Sequence, residues 1–141
     1  NQLQKKEKQI ADANLRDEAL QAYLDRISEL LLSSEYRSQL LTRSCSDDNP
    51  IQDVARVRTV TILRRLENDV ERQRQVLDFL RDAKLFDFIL KGINLDNINL
   101  NNAYLTRANL NDAKLNGAYL SNANLKNANL DGACFRDANL K

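Results

Sequence analysis

The chain has 141 residues, 43% of them hydrophobic and 29% charged, which is enough for one ordinary core or two small ones and excludes a wholly disordered chain. Twenty-one Lys and Arg stand against 20 Asp and Glu, so the balance points to no nucleic-acid binder, nucleic-acid mimic or membrane-surface protein. Histidine is absent, which removes the usual proton shuttle, the Ser-His and Cys-His nucleophile pairs and most zinc sites.

The opening NQLQKKEKQ lacks the apolar middle of a signal peptide, and no run approaches the roughly 18 apolar residues of a membrane span, so the residues present are expected to be soluble and cytoplasmic. Beginning on Asn1 rather than Met leaves open a processed product or an excised piece, with an anchor outside it. Leu15, Ala19, Leu20, Tyr23, Leu24, Ile27, Leu30 and Leu31 follow three-and-four spacing, which predicts a first amphipathic helix over about residues 4–32. Its apolar second half is expected to pack on the later helices, with pairing to a second copy as the alternative. The stretch SSEYRSQLLTRSCSDDNP breaks the pattern. Asn49-Pro50-Ile51-Gln52 then places a capping Asn before a Pro at the first helical position, opening a second helix over about 50–66. Within it VRTVTIL alternates like a strand, but the strong cap and the helical spacing of LRRLEN decide for helix. Asn68-Asp69-Val70-Glu71 reads as a capping box for a third helix that carries Val76, Leu77 and Leu80 to about Asp82. Residues 1–82 thus form an α-helical subdomain of about three helices.

From residue 83 to 141 the spacing changes to five. Leu85, Leu90, Leu95 and every fifth residue after them are Leu, or Phe at Phe135, as far as Leu140. Two places before these centres stand Ala83, Phe88, Ile93 and Ile98, then Ala at every repeat from Ala103 to Ala138. This is a strict internal repeat. On an α-helix five residues turn about 140° beyond a full circle and bury no face. On a flat strand five is odd, so alternate leucines would meet water. A quarter turn per repeat keeps both apolar positions on an inner axis. Gly92, Asn97, Asn102, Asp112, Gly117, Asn122, Asn127, Gly132 and Asp137 would then sit at corners, which those residue types tolerate.

The A(N/D)LXX repeats resemble the pentapeptide-repeat family over residues 83–141. The resemblance implies a right-handed quadrilateral β-helix, here a short solenoid of about three coils. The leader with VARVRTVTILRRLEND is similar, more loosely, to helical segments of longer bacterial, especially cyanobacterial, members that carry membrane helices upstream. The resemblance of the repeat also implies a less favoured role as a DNA mimic that inhibits a topoisomerase, since known relatives of the repeat include acidic coils that do so. Residues 83–141 carry seven Lys or Arg against five Asp, the wrong sign for a phosphate mimic.

No catalytic, cofactor or metal constellation is found: acids such as Asp12, Asp17 and Glu18 read as an exposed helix face, and no phosphate-cradling glycine loop exists. Cys45 and Cys134 have no metal spacing and are expected to be free thiols. Candidate interaction surfaces are a mildly basic strip of Lys84, Tyr104 and Asn124 with Arg107 and Lys126, and a C-terminal end of Leu130, Phe135 and Leu140. The bulky Phe86, Phe88, Ile89, Ile93 and Ile98 predict that the last helix caps the other end. The expected role is a non-enzymatic protein-interaction or scaffold module without cofactors, with an unknown protein partner and a possible homodimer. The alternative is the cytoplasmic domain of a membrane-anchored pentapeptide-repeat protein.

Overall fold

A computed structural model describes residues 1–43 and 49–141. The Cys45 thiol falls outside the described residues. Helix α1, Gln2–Leu32, opens on a reciprocal capping box in which the Asn1 side chain accepts from the Gln4 N–H. Ser33 stops it and caps a helix that the spacing did not predict, α2, Ser34–Leu40.

Helix α3, Pro50–Arg65, starts on the expected Asn49 cap with Pro in the first turn. Its β-branched run stays helical, and the Thr59 and Thr61 hydroxyls donate to the carbonyls four residues back, each at 2.8 Å. In α4, Val70–Asp82, the cap is Asp69, whose side chain accepts from the Arg72 N–H. Asn68, read in the sequence as the start of the box, instead takes φ +66° in the turn before it.

Leu20, Tyr23 and Ile27 of α1 are buried, and α1 packs against α2, α3 and α4. Residues 1–12 are all exposed. The core continues through Leu40, Ala55, Ile62, Leu63, Leu66, Val76, Leu77 and Leu80 without a break into Leu85 and the repeats.

The quadrilateral β-helix solenoid expected for residues 83–141 is not found. Among the described residues there is no β-strand and no sheet, only isolated parallel bridges between residues twenty apart, from Asn94–Lys114 to Tyr119–Asn139. The reason is local. Each five-residue unit gives one residue to a bridge and two to a turn, and every fifth residue from Gly92 to Asp137 has φ between 58° and 70°, so the run between turns is three residues long and only its middle residue forms a bridge, too short for a strand. The first of the expected repeats is not built this way at all: Phe86–Ile89 form a one-turn helix, α5.

Backbone hydrogen bonds nevertheless tie the tail together across that interval. Leu95 N–H donates to Lys114 O at 2.7 Å and Lys114 N–H to Ile93 O at 2.9 Å, and the pattern recurs down the tail. Leu85 to Leu120 are buried at every fifth place, as are Ala103 to Ala118 two places before their centres. The Asn of the repeat holds the turn that follows it, since Asn94, Asn99, Asn109, Asn124, Asn129 and Asn139 each accept, through Oδ1, the N–H two residues on.

Candidate interaction surfaces

The helical half meets the tail through side chains that end on backbone carbonyls. From α3, Arg56 donates to Lys91 O at 2.9 Å and Phe88 O at 3.2 Å, and Arg64 to Asp96 O at 2.9 Å. From α4, the buried Gln73 donates to both Leu63 O and Asn99 O at 3.1 Å, and Arg81 to Tyr104 O at 3.0 Å. Under this polar seam lie Phe86, Phe88, Ile89, Ile93 and Ile98, all buried, so the tail's first end is covered by α3, α4 and α5 together. Arg81 also stands 5.3 Å from the Phe86 ring centroid. The sequence reading missed these residues; the signal was the repeated spacing of eight in Arg56/Arg64 and Gln73/Arg81.

The basic strip is only partly assembled. Tyr104 and Asn124 are bridged, and the Arg107 N–H donates to Lys126 O at 2.9 Å. Tyr104 is exposed but not free on both faces, because the Arg74 guanidinium of α4 lies over its ring, 4.1 Å from the centroid. Lys84 joins no bridge: at φ +60° it ends α4, where the Leu85 N–H returns to Leu80 O at 2.8 Å. Its left-handed backbone and Arg107's are costlier than those of the neighbouring Gly, Asn and Asp corners.

At the far end Leu130 and Leu140 are exposed and Phe135 is half-buried. Cys134 is an exposed free thiol, bridged through its backbone to Lys114.

A third surface was not foreseen. Between α1 and α3 lies a hollow of about 660 Å³ lined by Ala19, Ala22 and Arg26 on one bank and Val54, Val57 and Arg58 on the other. Tyr23 closes its floor, donating to Thr59 Oγ1 at 2.7 Å because the Thr59 proton goes to Ala55 O, and burial pushes its phenol pKa up. Above it Val57 is 66% exposed.

The other displaced titrations also follow from structural partners. A hydrogen bond from Arg72 holds the exposed Asp17 carboxylate below its ordinary value, and Asp17 and Asp69 together raise Arg72. Among the described residues no group of His, Cys, Asp and Glu could hold a metal ion, and no helix is long and apolar enough to cross a membrane.

Residues 80–110 and 103–141 match the family model described as Pentapeptide repeats, in eight copies. The tail is a pentapeptide-repeat segment. The match begins at residue 80, within the last turn of α4. No curated protein and no solved structure matches the chain. Pentapeptide repeats are generally protein-interaction or scaffold modules, and the family is generally non-enzymatic.

Proposed function

We propose that the protein is a non-enzymatic scaffold that self-associates, holding a helical docking unit in fixed register on a pentapeptide-repeat tail. The observation that carries the scaffold part of this reading is the seam, while self-association rests on the exposed Leu130 and Leu140 at the far end and on the uncovered hollow. Four side chains, Arg56, Arg64, Gln73 and Arg81, spend their donors on tail carbonyls and so join the halves over one continuous core. A module that transmits position needs that rigidity, whereas a hinged pair of domains would leave those carbonyls to water.

The polar chemistry supports the same reading. Buried Gln52, Thr59 and Gln73 are each consumed by structural hydrogen bonds: Gln52 reaches Leu40 O at 2.8 Å, Thr59 meets Tyr23, and Gln73 spans the seam. None is left aimed into the hollow, whose lining is mainly apolar.

Sedimentation velocity across a concentration series is the test. A dimer forming at or below about 1 mM, equivalent to at least about 4 kcal/mol of association, is the expected result. A strict monomer at the top of that range overturns self-association. Two independent unfolding transitions in the wild-type chain would overturn the rigid scaffold.

A further inference from the structure

We propose that the hollow between α1 and α3 is the docking surface for a second copy of this chain, with α1 of each copy laid over α3 of the other. The proposal rests on the self-association reading above and names its site.

The floor of the hollow is apolar and uncovered. Ala19 and Ala22 keep the α1 bank low, so another helix can come close, while Val54 and Val57 of α3 are 48% and 66% exposed. Leu15, half exposed and seven residues before Ala22, extends the same stripe toward the start of α1.

Charge decides the occupant. The α3 bank is basic: Arg58 and Arg65 are exposed and form no ion pair among the described residues, while the α3 arginines on the other side, Arg56 and Arg64, are committed to the tail. The outer edge of the α1 bank is acidic, with Glu18, Asp25 and Glu29 exposed on one helix side and only Glu29 reached by a cation, Arg26 at 3.5 Å. A uniformly acidic helix would be repelled by α1, and a uniformly basic one by α3. The hollow fits a partner with one edge of each sign, and the chain's own α1–α3 face has that pattern. Self-complementarity of this kind is what a two-fold contact requires.

The register agrees. Helices α1 and α3 run antiparallel: Arg16 meets Asp69 at 2.8 Å, Tyr23 meets Thr59 at 2.7 Å, and Gln52 reaches back to Leu40 O. Counting from the Tyr23–Thr59 link, Asp25 is level with Val57 and Arg58, and Glu18 with Arg64 and Arg65. A two-fold axis along the hollow preserves height, so Asp25 of each copy faces Arg58 of the other, and Glu18 faces Arg65. At the remaining end the count sets Glu29 level with Asp53, and each carboxylate is already paired within its own helix, Glu29 with Arg26 at 3.5 Å and Asp53 with Arg56 at 2.9 Å.

Charge exchange tests this on the intact chain, because both positions are exposed and their substitution leaves the core in place. Asp25→Arg alone and Arg58→Asp alone each juxtapose like charges twice per dimer, and each is expected to weaken self-association by about tenfold or more. An equal mixture of the two variants is expected to regain association within about threefold of wild type, because both cross-pairs are then opposite in sign. Val57→Glu should abolish the dimer while helicity by circular dichroism is unchanged. A wild-type dimer indifferent to all three substitutions overturns this site but leaves self-association standing. A mixture that stays monomeric overturns the two-fold register, and a wild-type monomer overturns both readings.

Discussion

The helical half and the repeat tail satisfy the same backbone in opposite ways. In α1, α3 and α4 the N–H groups beyond the first turn find carbonyls four residues back and cap side chains take up donors of the first, so a helix depends on its neighbours mainly for burial of its apolar face. In the tail each repeat keeps one local turn bond, such as Ala108 N–H to Leu105 O at 3.0 Å, but its other partners lie about twenty residues away, as when Leu105 N–H donates to Asn124 O at 2.8 Å. No five-residue unit is closed by itself. That contrast explains why the tail abuts a helical block: its first units, where no earlier repeat exists, draw their cover and their carbonyl partners from α3, α4 and α5.

If the seam makes the halves one unit, equal injuries on either side should be felt equally. Leu63→Ala in α3 and Leu110→Ala in the tail, both fully buried, are each expected to cost about 2–5 kcal/mol and to lower a single denaturant transition. Two separate transitions would break the comparison. Gln73→Ala leaves Leu63 O and Asn99 O without their donor and is expected to cost about 1–3 kcal/mol. Its sharper signature is a loss of coincidence between far-ultraviolet circular dichroism, which reports the helices, and the fluorescence of a single tryptophan placed in the tail by Tyr119→Trp, the chain having no other tryptophan.

A smaller effect of opposite sign should come from the corners. Arg107 is held at φ +64° where neighbouring units use Asn or Asp, so Arg107→Asn is expected to stabilise by about 0.5–1 kcal/mol in thermal melts. The smallest effect lies in the helical half. The Asp17 carboxylate is held below its ordinary 3.8 by Arg72, so its contribution is present above that value and fades as pH falls through the lowered one. Asp17→Asn should therefore flatten the acid limb of the stability profile slightly and leave the alkaline limb unchanged, because Arg72 keeps Asp69 at 2.8 Å.

Much of the local structure was legible because its causes are local. The Asn49-Pro50 start of α3 is a short-range hydrogen bond with a fixed φ beside it, and it outweighed the strand-like VRTVTIL. Helix α2 was hidden because its seven residues carry too little periodicity, although Ser33 followed by Glu35 was a fair cap signal. Helix α5 was hidden by coincidence: Leu85 and Leu90 flank it at the repeat interval. The strand assignment failed because strict spacing reports which side chains share an interior, not how many consecutive residues can pair. The candidate strip was read from twenty-residue arithmetic alone, which could not foresee Arg74 covering Tyr104.

From the residues alone came the helix starts, the change of period near residue 83, the buried Leu and Ala places and the left-handed corners, each governed by contacts a few positions apart or by a steric rule on one residue. Tertiary structure decided the single-residue bridges in place of strands, the arginines and glutamine that end on tail carbonyls, and the hollow between α1 and α3. Those depend on which distant segments meet. The free energy of such meetings lies in shared burial and in polar groups that must find partners wherever the chain brings them, which no local spacing records.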